Sequence, residues 1–160
     1  MLLLMGLFQR LLLSSCLLSC TSAYINGQPK DIQVVGATSQ EWISGIRNGG
    51  SSINYKVSVK VLTDRAIAFD SIWVSGRRLK IAIENDMNSA DIKSAKNEVV
   101  DLKAFDYIKS PDDNEIEKPD TFREPPVKLH GDALIRYYLG SSANYISIPT
   151  ITVLPPIYGQ

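Results

Sequence analysis

The chain has 160 residues, 17 basic and 17 acidic side chains and a single histidine. That length suits one domain, and the even charge balance argues against a nucleic-acid binder, which needs a basic excess to neutralise phosphates. With one histidine, and both cysteines inside the first twenty residues, zinc- or copper-type sites have almost no ligands to draw on.

Met1 to Ser19 carries one charge, Arg10, followed by the apolar stretch Leu11-Leu12-Leu13-Ser14-Ser15-Cys16-Leu17-Leu18-Ser19. A positive residue, a hydrophobic region of about 7–15 residues and small residues at the cut make a secretory signal. The stretch is too short for a membrane span, which needs about 20 apolar residues. Leu17-Leu18-Ser19-Cys20 resembles the lipobox of bacterial lipoproteins. The resemblance implies cleavage before Cys20 and a diacylglycerol on its thiol. Leu13-Ser14-Ser15-Cys16 fits the same pattern but leaves too short an apolar core after Arg10. An ordinary signal peptide cut near Ser22-Ala23 is the competing reading. With Cys20 acylated, no second cysteine survives cleavage and the mature domain has no internal disulfide. Two or three acyl chains make a lasting anchor where one does not. Thr21 stands where an aspartate would imply inner-membrane retention, and no acidic run follows Cys20. By resemblance, this implies an outer-membrane anchor facing the periplasm. The expected division is a signal peptide over 1–19, a lipidated tether over 20–30 and one domain over 31–160.

Asp31 to Gly36 reads as a first short strand and Glu41 to Ile46 as a second, followed by a Gly- and Ser-rich loop over Arg47 to Ser52. Tyr55 to Val61 alternates apolar and polar residues, which predicts a half-buried strand with Tyr55, Val57, Val59 and Val61 facing in. Ala66 to Val74 is the next strand, turned at Ser75-Gly76 into a third carrying Leu79, Ile81 and Ile83. These three strands read as an antiparallel meander. Asn85 to Asn97 is polar. Glu98 to Ile108 is read as a strand, because Val, Phe, Tyr and Asp are poor helix formers; Val100, Leu102, Ala104 and Asp106 share one face. Lys109 to Pro126, rich in proline and acids, is an exposed loop. Val127 to Leu139 and Tyr145 to Leu154 form the last strands, with an edge or bulge at Pro149 and an end at Pro155-Pro156. Seven or eight short strands at regular spacing predict an all-β fold, an immunoglobulin-like antiparallel β-sandwich.

The inventory of chemistry is thin. No P-loop, H-E-x-x-H or G-x-S-x-G pattern is present. His130 reads as a strand histidine rather than a catalytic base. Asp112, Asp113, Glu115, Glu117 and Asp120 supply the oxygen chemistry of calcium sites but lack the EF-hand spacing. No metal or other cofactor is expected. A carboxylate pair of the glycosidase kind is compatible with any two acids that meet in a fold. The strand aromatics, among them Trp42, Tyr55, Phe69, Trp73 and Tyr145, belong mostly to the core, though aromatic faces also stack on sugars and anchor protein interfaces. Tyr137 and Tyr138 are adjacent on a strand and must point to opposite faces. An outward Tyr138 beside Arg136 is therefore the candidate binding patch.

Glu41-Trp42-Ile43-Ser44-Gly45, the loop Asn48-Gly49-Gly50, the strand from Tyr55, Ile67 to Gly76 and the late hairpin Ala133 to Ile148 resemble small lipoproteins of Bacteroidota with no assigned activity. The resemblance implies a cell-envelope setting and supplies no catalytic residue. The expected function is a lipid-anchored, non-catalytic binding or assembly module for an envelope protein or glycan. The alternatives are an envelope hydrolase with a carboxylate pair, or a carrier of calcium or a small ligand.

Overall fold

The computed structural model describes residues 29–46, 49–83, 91–92, 96–108 and 124–160. The expected signal peptide, Cys20, most of the tether and most of the acidic 109–126 stretch lie outside these residues. Ten strands form: β1 (Ile32–Ile43), β2 (Ser51–Val61), β3 (Ile67–Val74), β4 (Arg77–Lys80), β5 (Ala82–Ile83), β6 (Asp91–Ile92), β7 (Val99–Ile108), β8 (Ala133–Leu139), β9 (Ser142–Ile148) and β10 (Thr152–Tyr158). The first sheet runs β10-β1-β2-β7-β5 and the second β4-β3-β8-β9, with β6 pairing the start of β3. The β1–β10 pair is parallel and the other strand pairs are antiparallel. The expected all-β sandwich is the architecture that forms.

Alternation builds the core. Tyr55, Val57, Val59 and Val61 all face in and are buried, and so are Val100, Leu102, Ala104 and Asp106 opposite them on β7. The second sheet contributes Ile67, Phe69, Ile72, Ile135, Tyr137 and Ile148. Tyr137 is fully buried and its neighbour Tyr138 lies on the outer face, as the period of two requires. The apolar interstice between Tyr55, Val57, Ile72, Leu102 and Ile135 has no room for a water molecule, so the two layers are closely packed there.

Four expectations change. Asp31–Gly36 and Glu41–Ile46 are not two strands but one, β1, twelve residues long. A bulge lies between Val34 and Gly36, and the polar middle Thr38-Ser39-Gln40 pairs regularly with Lys56, Tyr55 and Asn54. The three early strands are not a meander, because β2 lies in the first sheet and β3 in the second; only β3 and β4 form a hairpin. Its turn has φ of 51° at Ser75 and 75° at Gly76, the mirror-image turn that suits strand twist. The Leu79–Ile83 segment changes sheets at Ile81, which is buried and donates its N–H to Asp70 O at 3.2 Å. Its first half pairs with β3 and its second with β7, tying the two layers at one corner. Finally, the last strands have other bounds than expected, with β9 beginning already at Ser142. The β8 strand starts at Ala133, and the run from Tyr145 breaks at Pro149 to Ile151, where Asp132 Oδ2 accepts the Ile151 N–H at 2.7 Å. Pro155-Pro156 does not end the chain's pairing, since β10 continues through both to Tyr158. Prolines are tolerated there because β10 is an edge strand, and their missing donors blunt that edge.

Candidate functional site

Two outer surfaces gather aromatic and polar side chains, one on each sheet. On the second sheet the organiser is a bulge. Phe69 pairs with Tyr137 and Ser71 with Arg136, so Asp70 is the extra residue on β3. The slip turns Trp73 to the outer face, opposite to Ile67 and Phe69, where it pairs with Leu134 and Arg78. Asp70 Oδ2 accepts from Arg136 Nε at 2.7 Å and Arg78 Nη2 at 3.3 Å, and from the Ser71 hydroxyl. Arg78 Nε in turn donates to Ser71 Oγ at 3.2 Å. Both guanidinium carbons lie 5.5 Å from the Trp73 ring, and Arg136 lies 5.6 Å from Tyr138. Tyr145 tilts against Trp73 at 6.5 Å.

Burial would raise the Asp70 pKa, but the hydrogen bonds from Ser71 and Arg136, the Arg136 charge and the Arg78 bond outweigh it and hold the carboxyl below its ordinary value. Burial would lower the Arg136 pKa, yet its bond and charge contact with Asp70 raise it further. The predicted pair Arg136 and Tyr138 is thus brought together on one face. Its guanidinium is already engaged on the carboxylate and the two rings. Trp73 is only 4 % exposed and its Nε1 has no hydrogen-bond partner. Two cations sealed over an indole, each worth about 0.5–2 kcal/mol, make this face a clamp on the sheet. One carboxylate between two guanidiniums leaves it with an excess positive charge.

The first sheet behaves differently. The core closes where Arg77 on β4 bonds Asp106 on β7, next to Tyr55, whose pKa burial raises. Beyond that ion pair the first sheet continues past its partner layer. Every residue of β10 is exposed. Trp42 (38 %), Phe105 (52 %), Tyr107 (56 %), Leu154 and Ile157 are all exposed there. Register assigns them to one face. Ile157 lies opposite Trp42, Trp42 opposite Ser52 and Ser52 opposite Tyr107. The neighbouring row is Leu154, Gln40, Asn54 and Phe105. Neither row contains a charged side chain. Trp42 is seated on Gly159, which lies close against Gly45. A Cβ on Gly159 would come 2.8 Å from Trp42 Cζ2, and a Cβ on Gly45 would meet Gly159 O at 2.1 Å. Only glycine lets those backbones approach and the indole settle on them. Gly159 N also donates to Ile43 O at 2.8 Å, and Gln40 Nε2 to Pro155 O at 3.0 Å.

This platform is absent from the sequence-based candidates, although its signal was visible: Phe105 and Tyr107 alternate on the strand face opposite Leu102 and Ala104. Its other half, Trp42, needs the register of strands far apart in sequence. The remaining candidates stay scattered. His130 is exposed. The acids from Asp112 to Asp120 lie outside the described residues. Among the described residues, no three His, Cys, Asp or Glu side chains gather as a metal site. Asp70, Asp101, Asp106 and Asp132 are each engaged by a cation, a hydroxyl or an N–H. Among the described residues, no helix is long and apolar enough to cross a membrane.

No family model matches the chain, and none of the curated proteins compared with it does.

Proposed function

We propose that the chain is a cell-envelope lipoprotein, anchored through acylated Cys20 and working as a non-catalytic binding or assembly module for an envelope protein or glycan. The observation that carries this reading is the clustering of exposed apolar side chains at the far end of β1. Residues 20–31 lead into β1 at Ile32, whereas Trp42 and Ile43 lie ten and eleven residues further along the strand, roughly 33–37 Å away. An anchor at Cys20 would therefore hold the domain with this end directed outward. Exposed apolar groups of this extent mark contact sites. The Arg136–Tyr138 face is a second, polar contact surface on this reading. The anchor belongs to the outer membrane on its periplasmic side. Hydrolase and calcium-carrier readings receive no support from Asp70, Asp101, Asp106 and Asp132, which are occupied by donors.

The test is radioactive palmitate labelling of cells expressing the chain, with mass spectrometry of the mature N-terminus. The expected product begins at Cys20 and carries acyl chains, and Cys20→Ala releases it from membranes. An unlabelled product cut near Ser22-Ala23 overturns the reading.

A further inference from the structure

We infer that the projecting outer face of the first sheet is a stacking platform for a neutral, extended β-linked glycan chain. This deepens the module reading by naming its partner class, and it rests on that reading only for the envelope setting. Four observations carry it. The face is an open stretch of sheet on which Trp42, Phe105 and Tyr107 are all exposed. Trp42 and Tyr107 occupy one cross-strand row with β2 between them, about 10 Å apart or two strand spacings. Phe105 follows Tyr107 on the same face of β7. Between the rings stand Ser52, Asn54 and Gln40, all uncharged hydrogen-bonding groups.

That pattern matches the two surfaces of a β-linked sugar chain. Such a chain is a flat ribbon. Its ring C–H groups form apolar faces that lie on aromatic rings, and its hydroxyl or acetamido groups point sideways toward amides and hydroxyls. Gln40 spends its Nε2 on Pro155 O, which orients the amide and leaves its oxygen to accept from a sugar hydroxyl. Gly159 backs the indole, so the ring is preorganised for stacking and loses little freedom on binding.

The alternatives fit less well. An anionic partner would find no cation in these two rows, and in the next row of the same face, which holds Lys56 and Lys103, Lys56 is already paired with Asp101. A second copy of the chain needs about 800 Å² per partner. Three rings of roughly 200 Å² each, about half exposed, offer on the order of 300 Å², so such a dimer would have to draw on surface outside the two rows, the exposed β10 edge included.

The test uses the full chain in detergent micelles, titrated with chitohexaose and with cellohexaose by calorimetry and tryptophan fluorescence. Trp42 is the exposed one of the two tryptophans, so its emission reports stacking directly. At least one hexasaccharide is expected to bind with a micromolar to millimolar constant. Tyr107→Ala and Phe105→Ala should each weaken it tenfold or more while the thermal melt stays unchanged. Absence of a response to both sugars at millimolar concentration overturns the inference. So does binding that ignores Tyr107→Ala, or a sedimentation change from dimer to monomer on that substitution, which would assign the face to a second copy. Cys20 labelling is scored separately. Sugar binding without acylation sinks the anchored-module reading and leaves the platform standing; acylation without sugar binding does the reverse.

Discussion

The two outer faces use the same ingredients to opposite ends. Each places a tryptophan and a tyrosine on a sheet surface among polar side chains. On the second sheet, Arg78 and Arg136 are drawn over Trp73 by one carboxylate, and the indole is sealed. On the projecting end of the first sheet no charge lies in the rows of Trp42 and Tyr107, and the rings stay open to contact. The difference teaches that an aromatic on a strand becomes structural or available according to whether a cation and its counter-ion are within reach.

Substitutions can break this contrast, beginning with the sealed side. Trp73→Ala should cost about 3–5 kcal/mol and lower the melting temperature by about 10 °C or more, read by chemical and thermal denaturation. Asp70→Asn removes the counter-charge of both guanidiniums and replaces one acceptor oxygen by a donor, and should cost about 2 kcal/mol. Its pH signature follows from the lowered folded pKa. The Asp70 contribution is fully present above the unfolded carboxylate value of about 4 and is lost as pH falls through the lower folded value. The stability gap between wild type and variant should therefore shrink on acidification. Equal acid limbs would show that Asp70 does not organise the face.

Tyr137 sharpens the comparison from inside, since it shares β8 with Arg136 but points into the core. Its hydroxyl is buried without a partner, and burial raises its pKa well above the usual phenol range. Tyr137→Phe should be neutral or stabilising by about 1 kcal/mol. The raised folded pKa favours the neutral form. Its contribution is complete below the unfolded value of about 10 and fades as pH rises toward the folded one. The variant should resist alkaline unfolding better than wild type in urea titrations at high pH. The smallest effect belongs to the open side: Phe105→Ala should change stability by no more than about 0.5 kcal/mol. A large loss there would mean the ring is part of the packing.

Much of the sandwich was readable because alternation is a local signal. The inward faces of β2 and β7 follow from Tyr55-to-Val61 and Val100-to-Asp106 alone. The readable part stops where geometry depends on a partner strand. Asp70 looks like an interruption in a strand pattern; only pairing with β8 reveals it as a bulge that reverses Trp73. The polar run Thr38-Ser39-Gln40 looks like a loop, yet it is strand because β2 and β10 satisfy its backbone on both sides. Arg136 and Tyr138 were found as neighbours by the period of two, but their engagement with Asp70, 66 residues earlier, needs the fold. The meeting of Trp42 with Tyr107 across β2 is equally non-local.

The twelve-residue β1 is gripped lengthwise, by β2 along its whole run and by β10 over its final half. Tension entering at Ile32 and resisted on the neighbouring strands would be directed parallel to those ladders. Many hydrogen bonds would then bear the load together in shear, rather than opening one after another as a zipper does. Drawing β1 out along its own axis would therefore break both ladders at once.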